Sequence, residues 1–194
     1  MAFISRFLWT MKVKDLVYIA IFTSIICVMS LISIPTTVPF TLQTLAVFLC
    51  MFMLKPVDSL ISVLLYILIG GIGIPVFSNF RSGFGTLAGP TGGYIIGFIL
   101  MTLIPFIIKN KIASGIIGLV ICYIFGSIWF LMFNQSNITS LWKVLTICVF
   151  PFIIPDGIKL VLAYILAKRL KFLTTDDTNN KDIDKNKENE DTTM

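Results

Sequence analysis

Six near-continuous apolar runs, separated by short polar segments, dominate the pattern of this chain. They span residues 16–34, 42–54, 59–73, 91–108, 113–133 and 141–167. A helix rises about 1.5 Å per residue, so crossing a bilayer takes about 20 residues. The first, fourth, fifth and sixth runs are long enough, whereas the second and third are short. The pattern predicts an all-α, polytopic membrane protein with six transmembrane helices.

Composition supports a membrane setting and divides the chain in two. Hydrophobic residues make up 57% and charged residues 13% of the chain, against about 45–50% and 25% in soluble domains. One soluble core could not bury six such runs. Residues 174–194 carry seven acidic and three basic side chains and almost nothing apolar, which is typical of disorder. We expect a six-helix transmembrane domain at 1–173 and a disordered acidic cytoplasmic tail at 174–194.

The basic residues between the runs predict the orientation in the membrane. Loops on the cytoplasmic side carry an excess of Lys and Arg. With the N-terminus inside, nine basic residues lie at cytoplasmic ends, and only Arg81 and Lys143 lie outside. The nine are Arg6, Lys12, Lys14, Lys55, Lys109, Lys111, Lys168, Arg169 and Lys171. The sequence therefore predicts a multi-pass protein of the cell membrane with both termini cytoplasmic.

Two irregular segments fall on the predicted external side, at residues 34–43 and 70–97. The second contains nine of the thirteen glycines. Irregular backbone at membrane depth persists only where protein or water satisfies its polar groups, so this loop predicts a cavity or lid. Two polar residues, Asn79 and Arg81, stand there among aromatic ones, as in many small-molecule pockets. The aromatic residues are Phe77, Phe80 and Phe84.

Each of these polar residues has a simpler reading as well. Asn79 is also a common turn residue, and Arg81 is equally explained as a solvated loop charge. Gln43, at the external start of the second predicted helix, either faces the pocket or satisfies nearby backbone.

The sixth run contains two opposite charges, Asp156 and Lys159. Residues three apart lie about 60° apart around a helix, so the two side chains share one face. An ionisable group at mid-bilayer costs about 2.5–3.5 kcal/mol by insertion scales, which favours a functional pair. A self-neutralising ion pair that only fixes helix packing is the alternative. Pro155 and Gly157 should weaken the helix here and free backbone carbonyls.

Other kinds of chemistry find no residues to perform them. The chain has no histidine, and its cysteines lie singly in apolar runs, which argues against a zinc site or a disulfide framework. They are Cys27, Cys50, Cys122 and Cys148. No P-loop motif and no nucleophile with a nearby base occur. We therefore expect no catalytic residues, no metal and no cofactor.

Small residues spaced four apart let helices approach closely. The pattern occurs at Gly93-x-x-x-Gly97 and at Ala20-x-x-x-Ser24. Packing inside the bundle explains both, and the pair in the first helix can instead dock a partner helix.

Four segments together resemble the BioY family, the biotin-specific S components of energy-coupling factor (ECF) transporters. They are Thr41-Leu-Gln-Thr-Leu-Ala, Gly73-Ile-Pro-Val-Phe, Gly89-Pro-Thr-Gly-Gly-Tyr-Ile-Ile-Gly-Phe and Ile154-Pro-Asp-Gly-Ile-Lys. Their order and spacing match from about residue 15 to residue 171. The acidic tail lies outside the resemblance.

The resemblance implies the S component fold, with the vitamin bound near the external face beneath the loops after the first and third helices. It implies that Asn79 and Asp156 hold the ureido ring, that Lys159 adds a contact, and that Tyr94 of the glycine-rich motif is a further substrate-binding candidate. Arg81 departs from the small residues usual in its stretch, and we take it as the candidate for the carboxylate of biotin.

The resemblance also implies a membrane coupling protein and two cytoplasmic ATPases as partners, with Ala20 and Ser24 at the docking position. Two other interpretations stay open. One is an S component for another vitamin, such as thiamine or riboflavin, although a cationic ligand fits poorly beside Lys159. The other is a membrane enzyme or packing subunit in which Asp156 and Lys159 are structural.

Overall fold

The computed structural model describes residues 13–35, 39–133 and 141–170. Its helices are α1 (Val13–Leu31), α2 (Gln43–Met53), α3 (Pro56–Gly71), α4 (Phe84–Leu87), α5 (Gly92–Ile107), α6 (Lys111–Phe133), α7 (Leu141–Cys148) and α8 (Phe150–Leu170). Two short strands, β1 (Ser33–Ile34) and β2 (Phe40–Thr41), pair antiparallel. A 3₁₀ turn spans Ser78–Phe80. The predicted tail, the basic residues Arg6, Lys12 and Lys171, and loop positions 36–38 lie outside the described residues.

Helices form in all six apolar runs, which confirms the predicted all-α membrane class. Within the described ranges, α1, α6 and α8 are long and apolar enough to cross a membrane by themselves. The apolar helices α2, α3 and α5 are shorter, at 11, 16 and 16 residues. The expectation that the fourth run is long enough is therefore wrong for α5, because the backbone becomes extended at Ile108, just before Lys109.

The sixth run is divided at Val149, between α7 and α8. Pro151 lies in the first turn of α8. Backbone N–H groups in the first turn have no acceptor within the helix, so the missing N–H of proline costs no helical hydrogen bond. The chain then stays helical through Pro155 and Gly157 to Leu170. The irregularity expected around Pro155 thus lies several residues earlier, and Asp156 and Lys159 are held on regular helix.

Close packing of α5 on α6 depends on the predicted small residues. A Cβ at Gly93 would lie 2.2 Å from Cβ of Trp129, and one at Gly97 would lie 2.8 Å from Sγ of Cys122. These distances are far below van der Waals contact. The Gly93-x-x-x-Gly97 pattern is confirmed as a packing surface inside the bundle.

The two ends of the bundle differ in chemistry. At one end Lys55, in the turn between α2 and α3, pairs with Asp15 of α1 at 3.0 Å, and Lys111 of α6 donates to the carbonyl of Phe52. At the opposite end lie the β1–β2 hairpin and the 3₁₀ turn, linked by hydrogen bonds between Ser33 and Asn79. Two basic segments predicted to be cytoplasmic, those of Lys55 and Lys111, therefore share one end, away from the two irregular segments.

Candidate functional site

Two buried, oppositely charged side chains form the centre of the candidate site. The ammonium nitrogen of Lys159 lies 2.7 Å from Oδ1 of Asp156. The residues are 5% and 2% exposed. They are neighbours because both lie on the inner face of α8, one helical turn apart. A charged pair this deep needs further hydrogen bonds to offset its lost hydration.

Residues from α2, β2 and α6 supply those hydrogen bonds. Thr44 donates to Oδ1 of Asp156 at 2.9 Å, and the Tyr123 hydroxyl donates to Oδ2 at 2.6 Å. Lys159 donates to the Thr41 carbonyl at 2.7 Å and to the Thr44 hydroxyl at 3.0 Å, in addition to Asp156. An ammonium has three N–H donors. All three donors of Lys159 are therefore in use.

The ring of Phe40 covers the charge from one side. Nζ of Lys159 lies 4.1 Å from the centre of this ring, within the range of a cation–π contact. Phe40 in turn stacks on Phe152 of α8, with ring centres 6.0 Å apart. The hairpin strand β2 is thereby packed against the start of α8, directly beside the charged pair.

A cavity that is partly open to the outside lies next to this pair. Pockets for small ligands combine apolar walls with a few polar groups. The lining residues are Pro39, Thr41, Gln43, Thr44, Ser78, Thr91, Tyr94, Ile95, Phe98, Leu119, Cys122, Tyr123, Cys148, Phe152, Asp156 and Lys159. The cavity thus has an apolar wall with polar groups at one side.

Four of the predicted site residues meet at this cavity: Asp156, Lys159, Gln43 and Tyr94. Gln43, at the first turn of α2, is only 4% exposed. Its Oε1 accepts a hydrogen bond from Ser30 at 3.4 Å, while its Nε2 has no hydrogen-bond partner among the described residues. Gln43 therefore lies in the cavity wall, and its contact with a ligand stays a prediction.

Tyr94 is held against the cavity by α6. Its ring packs directly on Gly126, where a Cβ would lie 2.3 Å from Cδ1 of the ring, and its hydroxyl lies 3.4 Å from that of Ser127. Only glycine leaves room for the ring at this crossing.

Asn79 and Arg81 are placed outside the cavity lining. Oδ1 of Asn79 accepts a hydrogen bond from Ser33 at 3.1 Å, and the residue has a left-handed backbone with φ of 58°. Its neighbour Ser78 reaches the cavity instead. Arg81 is exposed, and its backbone pairs with Phe77. The loop therefore approaches the cavity, but neither predicted polar side chain reaches it.

The three loop phenylalanines do not line the cavity either. Phe77 is fully buried in the core, where its ring packs edge-on against Tyr66 with centres 5.5 Å apart. Phe80 and Phe84 are 69% and 74% exposed. The aromatic wall is built instead by Tyr94, Phe98, Tyr123 and Phe152. Helix packing decides this, since these rings sit on inward faces of α5, α6 and α8.

Sequence reasoning missed Thr44 and Tyr123, the two hydroxyl donors to Asp156. Each is one of a few polar residues in an apolar run, and Thr44 directly follows Gln43. The signal is weak, because isolated Thr and Tyr residues occur in many transmembrane helices without a ligand.

The predicted docking residues lie elsewhere, on the outer face of α1. Ala20 and Ser24 are exposed and line a shallow groove with apolar neighbours. The hydroxyl of Ser24 donates to the Ala20 carbonyl at 2.9 Å, so it is satisfied within its own helix. In the part of the chain that the structure describes, no three His, Cys, Asp or Glu residues form a possible metal site.

Comparison with known proteins gives consistent matches along nearly the whole chain. The family model of the BioY family matches residues 5–176. The biotin transporter BioY of Thermotoga maritima is 40% identical over 168 residues, which cover 82% of this chain and 97% of that protein. The probable biotin transporter BioY of Pyrococcus horikoshii is 37% identical over 164 residues, covering 83% and 98%.

A solved structure has a similar fold. The crystal structure at 2.1 Å of the S-component for biotin from an ECF-type ABC transporter superposes with a TM-score of 0.68. That protein is 29% identical, and the match covers 82% of this chain and 91% of the other.

Proposed function

Because this chain belongs to the BioY family, we propose that it takes up biotin as the substrate-binding (S) component of an ECF transporter. It is a multi-pass protein of the plasma membrane and not an enzyme. In this role it captures biotin at the external face and delivers it inward together with a membrane coupling protein and two ATPases.

The observation that most supports this function is the buried carboxylate of Asp156 in the cavity wall. The ureido ring of biotin offers two N–H donors and one carbonyl acceptor. Asp156 already accepts hydrogen bonds from Thr44, Tyr123 and Lys159, and a carboxylate has about four acceptor sites. Counting the described residues, one site therefore remains, on Oδ2, for a ureido N–H. Hydrogen bonds to an ionised group are roughly twice as strong as neutral ones.

Lys159 has a supporting part in this arrangement. It neutralises the carboxylate, and its three donors are already taken, so a contact with biotin requires that it release one of them. The Thr44 hydroxyl is the candidate for release, because its bond to Lys159 is the longest of the three at 3.0 Å, whereas the bond to Asp156 joins two opposite charges.

The apolar wall suits the rest of the ligand. The sulfur-containing ring and the valeryl chain of biotin are apolar, and Ile95, Phe98 and Phe152 offer them an apolar surface. Burying apolar area contributes about 25 cal/mol per Å². Recognition is thus divided between a polar side for the ureido ring and an apolar side for the remainder.

The loop residues remain proposed contacts. For Asn79 to reach the ureido ring, its carboxamide must leave Ser33, to which it is bonded at 3.1 Å. Arg81 is exposed beside the same loop, where its charge suits the carboxylate of biotin. Phe80 and Phe84 are both exposed, and we propose that they cover the mouth of the cavity rather than form its wall. Phe77 supports the loop from the core.

Calorimetric titration of the purified chain tests the function directly. We expect saturable heat at one site with biotin, and none with thiamine or riboflavin at the same concentrations. Thiamine is the informative control, because its positive charge opposes the ammonium of Lys159. Heat with another vitamin and none with biotin would make this chain an S component of different specificity.

The groove on α1 is the proposed docking surface for the coupling protein. It is lined by Ala20, Ile21, Ser24, Ile25, Val28 and Met29. Small residues at its centre allow close helix contact in lipid. With the basic end of the bundle cytoplasmic, as the positive-inside rule requires, both termini lie on the cytoplasmic side.

A bulky residue in the groove should uncouple transport from binding. We expect Ala20→Trp to prevent co-purification with the coupling protein and ATPases and to stop biotin accumulation in cells. Biotin affinity of the isolated chain should stay unchanged, since Ala20 lies away from the cavity. Ile128→Trp, on the exposed face of α6, is the matched control and should transport normally. Normal transport by Ala20→Trp would place the docking surface elsewhere.

A further inference from the structure

Two buried side-chain atoms lack any hydrogen-bond partner among the residues that the structure describes: Nε2 of Gln43 and Oγ of Ser59. An unpaired buried polar group is costly, so each calls for an explanation. Ser59 lies in α3 and away from the cavity, whereas Gln43 lines it. The unpaired amide thus points to a partner that arrives with the ligand.

A chain of hydroxyl groups sets the direction of this amide. The hydroxyls of Tyr66 and Ser30 are 3.0 Å apart, and Ser30 donates to Oε1 of Gln43 at 3.4 Å. All three residues are nearly fully buried, at 0%, 0% and 4% exposure. Hydroxyl donors must end on an acceptor, so the carboxamide oxygen faces Ser30, which leaves the NH₂ group without a partner among the described residues. The orientation is therefore determined from outside the cavity wall.

We propose that Gln43 donates to the ureido carbonyl oxygen of biotin, and that Ser30 and Tyr66 are positioning residues that hold its amide for this contact. The inference rests on the proposed function. Gln43 and Thr44 are adjacent at the start of α2, and Thr44 donates to Asp156. The amide donor and the carboxylate acceptor therefore reach one cavity from neighbouring positions.

A cyclic urea can use both groups, because its carbonyl oxygen is flanked closely by the two N–H groups. A site with a donor on one side and an acceptor on the other selects this combination. It rejects ligands that lack the carbonyl acceptor, because the buried amide then stays unpaired.

Titration with biotin and with 2-thiobiotin, whose carbonyl oxygen is replaced by sulfur, tests the contact. Sulfur is a weaker and longer acceptor, so the wild-type chain should bind 2-thiobiotin about tenfold less tightly than biotin. In Gln43→Leu, biotin affinity should fall by about tenfold, to the level of 2-thiobiotin, because no donor remains to distinguish them. Ser30→Ala should also reduce the preference for biotin over 2-thiobiotin. A purely structural role of Ser30 would leave that preference unchanged.

Ser59→Ala is the matched control, since it removes the other unpaired buried group without touching the cavity. It should keep both affinities. The inference would be overturned if Gln43→Leu preferred biotin to 2-thiobiotin as strongly as the wild-type chain does. It would also be overturned if the variant lost its preference for biotin over the alcohol analogue biotinol instead, because the amide would then contact the carboxylate of biotin. Both results leave biotin binding by the wild-type chain, and hence the proposed function, intact. Absence of wild-type binding would refute the proposed function itself.

Discussion

Replacing Asp156 by Asn should weaken biotin binding by at least about tenfold, or about 1.4 kcal/mol. The carboxylate accepts three hydrogen bonds and keeps one acceptor site for the ligand. An amide at this position replaces one acceptor oxygen by a donor nitrogen. That nitrogen would face another donor, either the hydroxyl of Tyr123 or the donors of Thr44 and Lys159. Calorimetric titration of the purified variant measures the loss.

Stability must be separated from binding in this variant. Removing one partner of a buried ion pair costs about 3–5 kcal/mol, because the other charge is left without compensation. The ammonium of Lys159 is that charge, and it is 5% exposed. We therefore expect Asp156→Asn to lower the melting temperature in detergent as well.

A double variant, Asp156→Asn with Lys159→Met, resolves the ambiguity. It removes both charges, and replacement of a buried pair by neutral groups is often neutral for stability. Its melting temperature should recover toward the wild-type value, while biotin affinity stays low. Wild-type affinity in the double variant would mean that the pair only packs helices.

Gly126→Ala is expected to have the second large effect, through Tyr94. The added Cβ would lie 2.3 Å from Cδ1 and 2.4 Å from Cε1 of the Tyr94 ring, so the ring must move. Because Tyr94 lines the cavity, its displacement changes the shape of the binding surface. We expect biotin affinity to fall by at least about tenfold, as for a lost buried contact of 1.4 kcal/mol or more.

Gly157→Ala on α8 provides the control for this substitution. No heavy atom lies within 4 Å of a Cβ built there, although Gly157 directly follows Asp156. Alanine is favoured over glycine in a helix by about 1 kcal/mol, so this variant should be slightly more stable and bind biotin normally. Equal behaviour of the two variants would contradict the packing explanation.

Local rules suffice for the charged pair. Its helical spacing and apolar surroundings predict that Asp156 and Lys159 share an inward face. In the structure, Nζ of Lys159 lies 2.7 Å from Oδ1 of Asp156. Local rules misplace the helix break, because Pro155 and Gly157 both disfavour helix and yet are accommodated within α8. Pro151 follows the break more closely. Competition between several helix-disfavouring residues is decided by the packing of the whole segment.

The loop residues show where single-sequence reasoning stops. Asn79 and Phe77 are two positions apart, yet one is bonded to Ser33 of the hairpin and the other is buried against Tyr66 of α3. A loop has no fixed periodicity, so its side-chain directions depend on which distant elements it meets. The orientation of the Gln43 amide likewise depends on Ser30 and Tyr66, thirteen and twenty-three positions away in sequence.

By itself, the sequence determined that this protein lies in a lipid bilayer, how many apolar helical regions it has, that a buried pair lies on one face of α8, and which family shares its motifs. These follow from composition and helical periodicity, which are local properties. The tertiary structure decided which hydroxyls complete the pair, which rings line the cavity and where the amide of Gln43 points. Those contacts join residues far apart in the chain, and they arise only when steric fit and the pairing of every buried polar group are satisfied together.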